Sequence, residues 1–155
     1  KMQELNPDTR CVIVGDGPSY KRFKRENLNV ICYTFKHGDE LAEIYASADI
    51  MVFPSVTETF GNTVTEALAS GLVVVAYDYA AAQMHIEHKV NGLLADYGNE
   101  QQFLQRCDQA MRLISDNSLR SAAHRSVSKL TWHAVAQRLI DITEKLIKDQ
   151  KESSQ

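Results

Sequence analysis

A chain of 155 residues, 44% hydrophobic and 24% charged, is long enough for one globular domain with its own core. Its formal net charge of −3 supplies no broad positive field, which excludes nucleic acid as a partner. Cys11, Cys32 and Cys107 are widely spaced with no Cys-x-x-Cys among them, which excludes a disulfide framework and a zinc knuckle and leaves buried reduced thiols.

The start, Lys1-Met2-Gln3-Glu4-Leu5-Asn6-Pro7, reads as the last turn of a helix stopped by proline. The chain is therefore expected to be a fragment whose upstream part, including the first strand of its domain, lies elsewhere. Short β-branched runs follow at residues 11–14, 30–33, 50–53, 73–76 and 92–94, as strands buried on both faces require. Between them, residues 39–47 and 62–70 carry apolar side chains at three- and four-residue spacing, which is helical periodicity. The basic run Lys21-Arg22-Phe23-Lys24-Arg25 fits a solvated helix face and is given no binding role.

Strand and helix in alternation with short links predict an α/β fold, a Rossmann-like parallel sheet with helices on both faces. Beyond Gly98 the pattern is helical, over 101–115, 118–129 and 132 to about 148, with Thr131 as N-cap of the last helix. The expected organisation is one domain over 1–149 and a frayed polar tail over 150–155. No run approaches the ~20 apolar residues of a membrane-spanning helix and no signal peptide is seen. The expected location is cytoplasmic, with peripheral membrane attachment of a whole protein left open.

Parallel sheets of this kind bind ligands beyond the carboxyl ends of their strands, so the loops starting at Gly15, Thr34, Pro54 and Asp78 matter most. The first reads Val14-Gly15-Asp16-Gly17-Pro18-Ser19-Tyr20. Tyr20 replaces the third glycine of a dinucleotide fingerprint, which disfavours a redox cofactor. Gly15 and Gly17 then make either a purely structural turn or one that lets a ligand approach the backbone.

The third loop runs through Glu58-Thr59-Phe60-Gly61-Asn62-Thr63-Val64-Thr65-Glu66 into a helix that opens near Gly61 or Asn62. Amides at a helix start lack intrahelical acceptors and sit at the positive end of the dipole, which suits a diphosphate. Glu58 and Glu66 can flank that mouth and accept paired hydroxyls, as a ribose or a hexose presents them. Taken singly, each also reads as an ordinary surface carboxylate. His37, His85, His88, His124 and His133 form no ligand pattern, and no Asp-x-Asp occurs, so no metal is expected.

Several stretches together resemble the group 1 family of glycosyltransferases: Val12-Ile13-Val14-Gly15-Asp16-Gly17-Pro18, Leu41-Ala42-Glu43-Ile44-Tyr45-Ala46-Ser47-Ala48-Asp49, the Glu58-x7-Glu66 element enclosing Phe60-Gly61, and Ala69-Ser70-Gly71-Leu72-Val73-Val74-Val75-Ala76. The resemblance implies the C-terminal lobe of a GT-B fold and a retaining, metal-independent transfer of a hexose from a nucleoside diphosphate sugar. It gives Glu58 the donor sugar, next to the reacting carbon, and Glu66 the ribose diol. The amides of Phe60, Gly61, Asn62 and Thr63 would face sugar and diphosphate, with Phe35, in Thr34-Phe35-Lys36, beside the nucleobase. The donor would be UDP- or GDP-linked, with no separate cofactor. The acceptor, a glycan or lipid, would sit in an N-terminal lobe outside this chain, as would the basic pair that neutralises the diphosphate. An isolated fragment of this kind is expected to be monomeric and inactive. A non-catalytic nucleotide-binding or scaffolding domain of Rossmann-like fold is the alternative. Where many members of the family carry a glycine pair before an acidic residue, this chain has Tyr79-Ala80-Ala81-Ala82.

Overall fold

The computed structural model describes residues 2–57 and 61–152, and within them the apolar runs become strands nearly to the residue. The strands are β1 (Cys11–Val14), β2 (Val30–Tyr33), β3 (Ile50–Phe53), β4 (Val73–Tyr77) and β5 (Leu93–Ala95). The helices are α1 (Met2–Leu5), α2 (Tyr20–Glu26), α3 (Gly38–Ala46), α4 (Asn62–Ala69), α5 (Ala80–His85), α6 (Glu100–Leu113), α7 (Asn117–Val127) and α8 (Trp132–Glu152).

Each strand pairing is parallel, with Cys11 opposite Val30, Ile50 opposite Val73 and Val75 opposite Leu93 at the start of each register. β4 shows why the fold is layered. Its five residues are all buried, and they alternate between two cores. Val74 and Ala76 join Val64, Ala67 and Leu68 of α4 and Ala123 and Val127 of α7 on one face. Val73, Val75 and Tyr77 join Leu93, Ala95, Phe103, Cys107 and Ala110 on the other. A strand covered on both sides can be apolar throughout, because neither set of alternate side chains meets water. Val64, Ala67 and Leu68 are completely inaccessible, at the three- and four-residue spacing that aims one stripe of α4 at the sheet.

Some expectations are corrected. The described strands form two sheets, β1-β2 and β3-β4-β5, rather than one. β1 and β3 each use one backbone edge, and the ladder stops at the other. Accordingly β1 and β2 are not buried on both faces: Val12, Ile13 and Ile31 remain 41–44% exposed, and Cys11 and Cys32 are half-buried while Cys107 is buried. Residues 79–87, read as a loop, contain α5, whose run of Ala, Gln and Met favours helix but is too short to show a period. α8 continues to Glu152, the last described residue, and residues 153–155 of the expected tail lie outside the described residues. Its start is as expected: the Ala134 amide donates to Thr131 Oγ1 at 3.1 Å. No helix among the described residues is long and apolar enough to cross a membrane.

Candidate functional site

The loops after β3, β4 and β5 leave the same edge of their parallel sheet, and side chains tie them together. Tyr97, after β5, donates from its hydroxyl to the Val56 carbonyl at 3.0 Å. Its ring lies 4.9 Å from that of Tyr79 and 6.3 Å from that of Tyr77. Tyr77 in turn meets Phe103 of α6 at 4.8 Å, so an aromatic stack rooted in the core reaches up to the loop that leads into residue 58. Within that loop, the Ser55 hydroxyl donates to the Thr57 carbonyl.

Gly61 is the N-cap of α4, with φ 83. A side chain there would strain the backbone. Its carbonyl accepts from the Val64 amide at 3.0 Å and the Thr65 amide at 3.4 Å. Asn62 and Thr63 precede those first intrahelical bonds, and their amides stand at the positive end of the helix. Glu66 lies one turn further on and is exposed, while Val64, Ala67 and Leu68 lock the opposite face into the core. The helix is thus a rigid mount for an outward-facing carboxylate. Glu58 and Phe60 fall outside the described residues.

Tyr45 of α3 packs its ring against the α4 core cluster. Burial first, then the nearby charge of Glu66, push the Tyr45 hydroxyl up to about 12. The phenol therefore stays protonated and available as a donor at any ordinary pH.

In the other sheet, Gly15 follows β1 with φ 151 and Gly38 follows the β2 loop with φ 56. The Gly15 amide donates to Tyr33 at 3.1 Å, and the Gly17 amide is held by Asp16 Oδ1 at 2.7 Å. A Cβ added at either Gly15 or Gly17 would meet nothing within 4 Å, so packing does not explain glycine there. Tyr20 opens α2 and donates to the Cys32 carbonyl at 3.2 Å, occupying the place where a fingerprint glycine would let helix and strand approach. Phe35 is 71% exposed and stacks on His37 with centroids 6.0 Å apart. Lys36 beside it is paired with Glu40 at 2.8 Å, which holds the Glu40 carboxyl below its ordinary range.

The loop after β4 departs from its expected chemistry in an informative way. Ala80 has φ 48, a left-handed conformation that glycine adopts freely and alanine at a cost of roughly 1–2 kcal/mol. Strain of this sort sits at the sheet edge where ligands bind.

His85 ends α5 and His88 is structural. His88 Nδ1 accepts from the Leu94 amide at 3.0 Å, and Arg106 Nε donates to the Leu94 carbonyl at 2.9 Å. These two side chains satisfy the outer edge of β5, the last strand of its sheet. Burial, with the charges of Arg106 and Lys89, holds His88 below its usual range, against the pull of Asp78. Among the described residues no group of three or more His, Cys, Asp or Glu could hold a metal ion.

The structure brings Gly61, Asn62, Thr63 and Glu66 together on one helix start, and places Gly15, Gly17 and Phe35 on loops of the two-stranded sheet. Tyr45 and Tyr97 escaped the sequence reading: one counted only as an apolar residue of a helix, the other lay in a turn. For Tyr97 the available signal was a phenol in an otherwise polar turn between β5 and α6.

The family model for glycosyl transferases, group 1, matches residues 1–113. A GDP-mannose-dependent alpha-mannosyltransferase of Mycobacterium tuberculosis is 36% identical over 132 residues, covering 84% of this chain and 34% of that protein. Its namesake in Corynebacterium glutamicum is 35% identical over 137 residues, covering 86% and 32%. The chain therefore spans about a third of the length of these relatives. Among solved structures, the pneumococcal O-GlcNAc transferase GtfA with UDP and GlcNAc superposes with a TM-score of 0.77 at 19% identity, over 94% of this chain and 31% of that one. Anabaena Alr3699/HepE with UDP gives 0.76 at 20% identity, over 93% and 44%. At such identities the likeness is one of fold.

Proposed function

Because the chain belongs to the group 1 glycosyltransferases and has the Rossmann-like architecture of a GT-B lobe, we propose that it forms the donor half of a retaining, metal-independent hexosyltransferase. The observation that carries this reading is the start of α4: a left-handed glycine N-cap, which has no side chain to cap the first-turn amides, and an exposed Glu66 one turn on from a buried anchor. Anion and diol are the two chemistries of a nucleoside diphosphate sugar, and the helix start and carboxylate offer a partner to each.

In this reading Glu66 accepts the ribose hydroxyls and Glu58 the hydroxyls of the donor sugar. The amides of residues 60–63 meet the charge that grows on the diphosphate as the sugar leaves, which lowers the barrier because that charge exists chiefly in the transition state. Gly15 and Gly17 let the ligand approach the backbone, and Phe35 stacks beside the base. The donor is a hexose on GDP or UDP, supported by relatives named for GDP-mannose and by folds solved with UDP. The acceptor glycan or lipid binds in another lobe, and residues 1–149 act as the donor-binding unit.

Kinetics of the intact enzyme separate the two carboxylates. Glu66→Ala should raise donor KM with little change in kcat, and Glu58→Ala should lower kcat. Unchanged parameters in both would overturn the reading.

A further inference from the structure

We propose that Tyr97 is a positioning residue for the transfer step: its hydroxyl holds the loop after β3 in the place from which Glu58 meets the donor sugar. The inference rests on the donor-sugar reading of Glu58. A carboxylate beside a reacting carbon acts only while its loop stands in position, and a displacement of about 1 Å slows such a reaction heavily. A loop that spends part of its time out of place lowers turnover in proportion.

The geometry supplies the restraint. Within the loop, Ser55 and Thr57 serve each other: the Ser55 hydroxyl donates to the Thr57 carbonyl and accepts from the Thr57 amide at 3.4 Å. The Tyr97 hydroxyl, 41 residues beyond Val56 in the chain, donates to the Val56 carbonyl at 3.0 Å and so ties the loop to the turn after β5. Val56 stands two residues before Glu58. The mount on the Tyr97 side of that bond is stiff. The Asn99 amide donates to the Asp96 carbonyl at 3.0 Å, closing the turn that carries Tyr97. The Asn99 side chain caps α6 by accepting from the Gln102 amide at 3.0 Å, and the Asp96 amide donates to the Gln102 side chain. The Tyr97 ring leans on Tyr79, with centroids 4.9 Å apart, and on the buried Tyr77 at 6.3 Å. The phenol is thus held from its own side, and the bond sets the loop. α4 is anchored separately, through Val64, Ala67 and Leu68.

Tyr97→Phe removes only the hydroxyl and keeps the ring against Tyr77 and Tyr79. The test compares the intact enzyme, its Tyr97→Phe and Glu58→Ala variants and the double variant. It measures turnover of GDP-mannose and UDP-glucose, read as nucleotide released, and affinity for GDP and UDP. A hydrogen bond between neutral groups shifts an equilibrium about 2- to 10-fold. Tyr97→Phe should therefore lower kcat about 2- to 10-fold, leave nucleotide affinity within about 2-fold, and add no further loss of kcat when Glu58→Ala is already present. Nucleotide affinity that falls in step with kcat would make Tyr97 merely structural and overturn the proposal. A kcat that Glu58→Ala lowers and Tyr97→Phe leaves intact, or losses that multiply in the double variant, would overturn the proposal alone. A kcat unchanged in Glu58→Ala, or no turnover of either donor by the unsubstituted enzyme, would overturn the underlying reading of Glu58, and the proposal with it.

Discussion

Gly17→Ala separates a binding turn from a structural one. A Cβ at Gly17 meets no atom within 4 Å, and its backbone lies outside the left-handed region. The substitution therefore creates neither clash nor strain, and by restricting the unfolded chain it should add about 0.4–1 kcal/mol of stability. Gly15 is the control. It too has open space, but its φ of 151 penalises any side chain, so Gly15→Ala should cost roughly 1–3 kcal/mol. For a domain of this size that lowers Tm by roughly 2–12 °C. If a diphosphate sugar lies against the Gly17 backbone, a new methyl displaces it by about the length of a C–C bond, and an ill-fitted contact of this kind costs about ten-fold in affinity or more. Calorimetric melting and titration with UDP or GDP read both quantities on the same sample. Gly17→Ala with a raised Tm and unaltered affinity would refute the close approach and leave the turn a structural one.

Other outcomes follow from the same contacts. Gly92→Ala should destabilise by about 1–3 kcal/mol, read as a lowered denaturation midpoint, because its Cβ would stand 2.9 Å from Ile86 Cγ2 and 3.2 Å from the Val74 carbonyl. Ala80→Gly should raise stability by about 1 kcal/mol, since glycine accepts the φ of 48 without strain. His88 must be neutral to accept from Leu94, and its folded value is depressed. The unfolded chain thus takes up a proton more readily, so this contribution to stability is complete above the ordinary histidine range and is lost as pH falls through the folded value. Urea midpoints should drop over that acid window, and the drop should disappear in His88→Gln.

The strands were legible because β-branched runs in a buried sheet have few alternatives, and β4 is the clearest case: Val73-Val74-Val75-Ala76 fills two cores at once. α4 was legible for the complementary reason, a buried stripe of Val64, Ala67 and Leu68 behind a glycine that ends a polar loop. α5 was not, since six residues give too few turns to show a period. Nor was the division into two sheets, because pairing is decided by which backbone edges meet and no side chain of β1 or β3 encodes it. Tyr97 was hidden for a third reason: it stands in a turn, yet its ring meets Tyr77 and Tyr79 and its hydroxyl serves residue 56, a convergence that spacing alone does not show. Single-residue patterns report burial well and convergence of polar groups poorly.

The central claim is that the start of α4 receives the diphosphate end of a nucleotide donor, and amide shifts in isotope-labelled protein test it most directly. On adding UDP or GDP, the largest shifts should fall on residues 61–66, with smaller ones at Gly15 and Gly17. Saturating nucleotide that leaves residues 61–66 unmoved, or moves instead the cleft between the end of α4 and α7 at Ser70, Arg120 and His124, would contradict it.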